Sequence, residues 1–292
     1  MPVVTESASL LDAHLNVHWL RPESALWDAI ASSVVARAEL PPPSLDLGCG
    51  NGLFSFITAG GRFSPEYDWY RNVDLERAGE GGDLYDALGT LPRRAWITEE
   101  PRHQFDWGLD AKATLLEQAK ALGFYRQTAL ADANGRLPWP DESLQSVFSN
   151  MLYWLTSAEA ALRELRRILR PGGRAWLCLP DPAFLACCTR RRDAVRWTVS
   201  AEEWEALAAR TGFRAISATR YLSPLTLKVW DIGLRPVAGV LIKMVHRLSE
   251  ADRLALKLEW MDCVRPFLWE LYEQDQREPR SGGFHFVGLE KG

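Results

Sequence analysis

Apolar positions recur along this chain in two alternating rhythms. Short runs in which apolar residues alternate or follow one another predict strands at residues 45–47, 105–110, 128–133, 144–150, 174–179, 213–222 and 283–289. Between them the spacing changes to three and four residues. Leu115, Leu116, Ala119 and Leu122 mark a helix that stops at Gly123, and Leu162, Leu165, Ile168 and Leu169 mark another that ends at Pro171-Gly172-Gly173. Ser200 and Glu203 form a capping-box pattern before a third, from Trp204 to Thr211, stopped by Gly212. Strands alternating with helices predict an α/β fold with a doubly wound, mostly parallel, seven-stranded sheet. In such sheets ligands lie at the carboxyl ends of the strands, near the point where strand order reverses.

Three segments fall outside this rhythm. Residues 1–40 read as an N-terminal helical lid: Pro22 opens a helix, and Ala25, Leu26, Ile30, Val34 and Val35 follow at helical spacing. Just upstream, His14 and His18 stand four residues apart, on one helical face, and either is a candidate for the substrate pocket. Residues 60–104, rich in Gly, Pro and charge, predict an irregular insertion in a core of residues 41–222. Its acids Asp68, Asp74, Glu76, Asp83 and Asp86 read as a solvated face, with no metal site expected. Residues 223–281 predict two helices that cap the pocket or form a dimer surface, and residues 282–292 return to the core as its final strand.

Chemistry concentrates in one stretch, Asp46-Leu47-Gly48-Cys49-Gly50-Asn51-Gly52. It predicts a strand, a glycine turn and a helix N-terminus, a place where backbone approaches a nucleotide-like ligand closely. A dinucleotide fingerprint needs its third glycine where Leu53 stands, and Asp46 would repel a pyrophosphate. A cationic nucleoside without phosphates fits better. Asp110, Asp132 and Asn150 fall at the next predicted strand ends.

Composition narrows the classes without adding chemistry. A net charge of -4 gives no basic surface for nucleic acid. No apolar run reaches the length that spans a bilayer, and the N-terminus lacks the pattern of a signal peptide. Five scattered cysteines suit a reducing compartment, so a cytoplasmic protein is expected. The 13 tryptophans suit an aromatic-lined pocket.

The glycine stretch resembles motif I of the class I S-adenosylmethionine-dependent methyltransferases, and the runs Gly108-Leu109-Asp110, Ala131-Asp132-Ala133, Leu137 to Leu144, Val147 to Asn150 and Leu162 to Gly173 resemble the type 11 methyltransferases. The resemblance covers residues 44–56 and 105–180. It implies a Rossmann-like sheet that binds S-adenosylmethionine. Gly48, Cys49, Gly50 and Gly52 would lie against the methionine part and Asp46 would face its ammonium, directly or through water. Asp110 would accept the ribose hydroxyls. Asp74, 22 residues past Gly52, competes for that role by distance alone, because no alternating strand precedes it. Asp132 and Ala133 would meet adenine, while Asn150 and Met151 would underlie the methionine chain. Tyr153, with the tentative His14 and His18, is the catalytic candidate. Trp154 stands where relatives often carry histidine, which suggests an apolar or aromatic acceptor.

The activity expected is therefore methyl transfer, by in-line displacement, to a small, partly apolar metabolite. A homodimer is admitted as a partner; nucleic acid and stable membrane insertion are not expected. Two rivals stand beside this reading: a non-catalytic cofactor-binding regulatory or partner protein, and a dinucleotide-dependent oxidoreductase.

Overall fold

Strand β1 (Ser44–Leu47) is an interior strand of the sheet, third of seven, buried on both faces, and everything that positions the site is built outward from it. The computed structural model describes residues 6–74, 93–277 and 282–292. The strands are β1, β2 (Arg62–Phe63), β3 (Ile97–Glu99), β4 (Phe105–Asp110), β5 (Tyr125–Leu130), β6 (Leu144–Ser149), β7 (Leu169–Pro180), β8 (Phe213–Tyr221) and β9 (Phe284–Lys291). Seven of them form one sheet in the order β5-β4-β1-β6-β7-β9-β8. β1 pairs in parallel with β4 on one side and β6 on the other, so the strand order reverses beside it. β9 enters antiparallel between β7 and β8.

Period-two alternation divides the core. Val147, Leu177 and Val287 face one layer, while their neighbours Phe148, Cys178 and Phe286 face the other. The first layer is closed by α5 (Ala158–Ile168), which buries Leu162, Leu165 and Ile168, and by α7 (Ala201–Arg210), which buries Trp204 and Leu207. The capping box at Ser200 and Glu203 is formed, both reciprocal bonds being present. The second layer takes α1 (Glu6–Val17), α2 (Pro22–Val35) and α3 (Leu53–Thr58). Helix α4 (Ala113–Leu122) joins β4 to β5 and ends on Gly123 in the left-handed conformation.

Two predicted boundaries move. The third strand of the parallel set ends at Leu130 rather than at residue 133, which leaves Asp132 in the turn beyond it. The strand expected at 174–179 begins earlier, at Leu169, and passes Pro171-Gly172-Gly173 with a register shift against β6.

The 60–104 insertion is more ordered at its ends than its composition suggests. β2 and β3 pair antiparallel, and Asp68 caps a 3-10 turn over Trp69–Asn72 by accepting the Tyr70 N–H. Asp68 also accepts the Trp19 indole N–H at 3.1 Å and pairs with Arg253. Glu76, Asp83 and Asp86 lie outside the described residues. Among the described residues no group of His, Cys, Asp or Glu has a metal-holding arrangement.

Residues 223–281 hold three described helices rather than two: α6 (Pro182–Cys187) precedes them, then come α8 (Pro224–Ile232), α9 (Ala238–Val245) and α10 (Glu250–Arg277). α10 is anchored to the N-terminal segment and to the insertion. The Trp260 indole N–H donates to the Trp19 carbonyl at 2.7 Å, and Arg265 pairs with Asp12 at 2.7 Å. Lys257, buried, donates to the carbonyls of Pro65 and Tyr67. No helix among the described residues is long and apolar enough to cross a membrane.

Candidate functional site

The glycine turn after β1 is clamped by its neighbour strand. Gly48 and Cys49 donate their N–H groups to the Leu109 carbonyl at 2.8 and 2.9 Å. Gly48, Gly50 and Gly52 all have φ between 55° and 80°, the left-handed region that glycine enters without a Cβ penalty. A Cβ on Gly48 would strike the Met151 side chain, so the two residues are packed face to face. A Cβ on Gly50 would meet nothing within 4 Å: this is the open side of the turn, where a ligand has room.

Asp110, at the end of β4, is half-buried beside this turn. Its Oδ2 accepts the Gly50 N–H at 2.9 Å and its Oδ1 accepts the Lys112 N–H at 2.9 Å. Each carboxylate oxygen keeps a second lone pair, so the group braces the turn and still offers two acceptor directions. Asp74, the competitor by spacing, is exposed in the insertion.

Asp46, expected to face a ligand ammonium directly or through water, is buried beneath the turn. It is 2% exposed, and its Oδ2 accepts the Ser55 hydroxyl at 2.6 Å and the Tyr125 hydroxyl at 2.7 Å. Burial raises its pKa to about 6, while the two hydroxyl bonds pull the other way. The carboxylate sits inside the turn, tying β1 to α3 and β5. Tyr125 and Ser55 were not among the predicted site residues. Gly108 carried the signal: a Cβ there would lie 2.9 Å from the Tyr125 ring, so the strand glycine makes the space through which the phenol reaches Asp46.

Asp132 is exposed, and its Oδ1 accepts both the backbone and the side-chain N–H of Asn134 at 2.9 Å. These bonds hold its pKa below the usual carboxylate range. Asn134 in turn accepts from the Thr156 N–H at 2.7 Å, pinning the loop after β5 to the segment after β6. Ala133 is half-buried on this loop, and Asn150 and Met151 are half-buried directly after β6. The residues expected on the cofactor side therefore lie at four adjacent strand ends, β1, β4, β5 and β6.

Next to Met151 the 3-10 turn Leu152–Trp154 leads into a cavity of about 320 Å³. Its walls include Trp27, Tyr153, Trp154, Phe184, Trp230 and Phe284, with Arg21, Asp28 and Arg235 as charged members. Trp27 lies 4.8 Å from Trp230 and 5.2 Å from Phe284, ring centre to ring centre. α2 brings Ser24, Trp27 and Asp28 to the cavity because residues three and four apart share a helical face. A cavity of about 410 Å³ lined by Thr58, Gly60, Arg62 and Arg102 adjoins the amino end of β4, away from the glycine turn.

The two histidines separate. His14 is fully buried, its Nε2 2.8 Å from the Ser32 hydroxyl, and burial drives its pKa down to about 3. It is a neutral core residue and does not line the aromatic cavity, because its face of α1 packs on α2. His18 is also buried, but its Nε2 lies 3.3 Å from Asp28 Oδ2, so it stands one residue behind the cavity wall.

Residues 99–177 match a family model described as a methyltransferase domain. No curated protein matches the chain. Among solved structures, the chain is similar to an S-adenosylmethionine-dependent methyltransferase of Thermotoga maritima, described as a possible histamine N-methyltransferase. That likeness has 14% identity over 91% of this chain and 89% of the other, with a TM-score of 0.51. An S-adenosylmethionine-dependent methyltransferase from Mesorhizobium loti is similar at 17% identity, 89% and 98% coverage and a TM-score of 0.47. The likeness to the first shows a shared fold.

Proposed function

We propose that this chain is a class I S-adenosylmethionine-dependent methyltransferase and that it methylates a small, partly apolar metabolite held in the aromatic cavity beside Tyr153; the methyltransferase-domain match over residues 99–177 supports the first part. The carrying observation is adjacency along the chain: Tyr153 and Trp154, which line the cavity, follow within three residues of Met151, whose side chain packs on Gly48 of the glycine turn.

The residues fit the cofactor on their own chemistry. The open face at Gly50 leaves room for backbone approach, and Asp110 retains acceptor directions for a pair of hydroxyls. Asp132, Ala133, Asn150 and Met151 follow the neighbouring strands β5 and β6, and we assign them to the same cofactor side. When bound, S-adenosylmethionine supplies a methyl group on a sulfonium, which the acceptor's lone pair displaces in line. The chain's own contribution is alignment and exclusion of water. Trp27, Trp230 and Phe284 offer flat apolar walls, and Tyr153 borders the cavity from the Met151 side. Asp28, backed by His18, is placed to take a proton if the acceptor must lose one. The helical layer of residues 223–277, through Trp230, serves as a lid on the acceptor.

Calorimetric titration with S-adenosylhomocysteine tests this reading. Stoichiometric binding is expected; a folded protein that binds none would sink it.

A further inference from the structure

The segment after α6 runs along the acceptor cavity and contributes Ala194 and Val195 to its wall. Arg191 lies in this segment. It is 7% exposed, and neither of its Nη atoms has a hydrogen-bond partner among the described residues. Its guanidinium carbon sits 4.5 Å from the centre of the Trp230 ring, itself a wall of the cavity. Stacking on an aromatic face fixes the guanidinium plane and leaves its in-plane N–H donors for another group.

The backbone beneath is held as well. Asp231, fully buried, follows Trp230 on α8 and accepts the N–H of Thr189 at 3.1 Å and those of Arg190 and Arg191 at 3.0 Å. One helix thus provides both the ring that carries the Arg191 side chain and the carboxylate that pins its main chain. Arg21 and Arg235 line the same cavity. Of the nearby carboxylates, Asp231 takes those three N–H groups and Asp28 faces His18; Glu23 Oε1 accepts the Arg235 N–H at 3.1 Å, and Glu23 and Asp231 give Arg191 favourable charge without hydrogen-bonding either Nη. A buried guanidinium whose Nη donors lack acceptors is costly, and a ligand that supplies the acceptor relieves that cost.

We propose that Arg191, with Arg21 and Arg235 beside it, binds an oxyanion on the methyl acceptor, so that the substrate is a flat, partly apolar molecule bearing a carboxylate or a phosphate. This rests on the reading of the cavity as the acceptor site.

The full chain, loaded with S-adenosylhomocysteine, is titrated calorimetrically at constant ionic strength with benzoate, phenyl phosphate and benzamide. At least one anion is expected to bind saturably and tenfold or more tighter than the neutral amide, and the ranking of the two anions separates carboxylate from phosphate. Arg191→Gln is expected to weaken that binding at least tenfold and to leave S-adenosylhomocysteine affinity within twofold. Arg191→Lys, which keeps the charge, is expected to recover part of it. Arg191→Met is expected to hold or raise the melting temperature of the ligand-free protein, a result that a merely structural arginine would not give. The proposal is overturned by absence of saturable anion binding, by equal binding of benzamide, by unchanged anion affinity in Arg191→Gln, or by a lower melting temperature in Arg191→Met. Failure of the cofactor reading is separate: S-adenosylhomocysteine then does not bind, while the anion titrations, repeated without it, still report on Arg191.

Discussion

Replacing Asp110 by asparagine keeps the shape of the side chain and removes its charge and one of its two acceptor oxygens. In the folded protein those oxygens take the N–H groups of Gly50 and Lys112, each at 2.9 Å. The proposed ribose contact uses the remaining lone pairs. Hydrogen bonds to a charged acceptor contribute about 1.5–3 kcal/mol each. Asparagine retains one neutral acceptor, so a loss of about 3 kcal/mol is expected, or roughly a hundredfold in Kd. The cost to folding is smaller: one backbone N–H at a half-buried turn loses its partner, about 1 kcal/mol. Calorimetry with S-adenosylhomocysteine reads the first quantity and urea unfolding the second. A sharper control compares adenosine with 2′,3′-dideoxyadenosine: the native protein is expected to prefer the hydroxylated nucleoside, and Asp110→Asn to lose most of that preference. An unchanged preference would refute the assignment of Asp110 to the ribose.

Other predictions follow from the buried titratable groups. Asp46 has a folded pKa of about 6 against an ordinary value of 3.8, so the folded protein holds its proton more tightly than the unfolded chain. Its contribution to stability is fully present below about pH 3.8 and is lost as pH rises through about 6, on the order of 3 kcal/mol in all. Asp46→Asn is expected to flatten that part of the stability–pH curve, and a curve of unchanged slope in urea titrations between these values would contradict it. His14→Ala is expected to cost about 2–4 kcal/mol by opening a cavity and removing one of the Ser32 hydroxyl's two partners, Thr58 being the other, with turnover per folded molecule unchanged. A loss of turnover in His14→Ala at full folding would return that histidine to the chemistry.

The sequence carried the cofactor side further than the acceptor side, for a physical reason. Gly48 and Asn150 directly follow a strand and Asp110 ends one, so local periodicity places them together once the strand order is known. Asp132 was placed less well, because the apolar run Ala129-Leu130-Ala131 continues past the point at which β5 leaves the ladder and carries no turn residue to mark it. The acceptor cavity joins α2, the turn after β6, the segment after α6, α8 and β9, distant in sequence and related only through tertiary packing. Trp27 and Trp230 were visible merely as members of an aromatic-rich composition. His14 and His18 share a spacing yet diverge, since packing of α1 on α2 buries one against Ser32 and sets the other behind Asp28. Arg191 had no local signature at all; its role depends on Asp231, forty residues away.

The insertion of β9 between β7 and β8 orders events during synthesis. By the time residue 180 has left the ribosome, all five strands of the parallel block that carries the glycine turn, Asp110 and Asn150 are available for pairing. β8 follows, but its pairing partner in the sheet is residues 284–291, so it has no ladder to join until they emerge. Phe284, in that late strand, is also a wall of the acceptor cavity. A nascent chain can therefore gain a nucleoside-binding half, and be stabilised by ligand, before the compartment that selects the acceptor is closed.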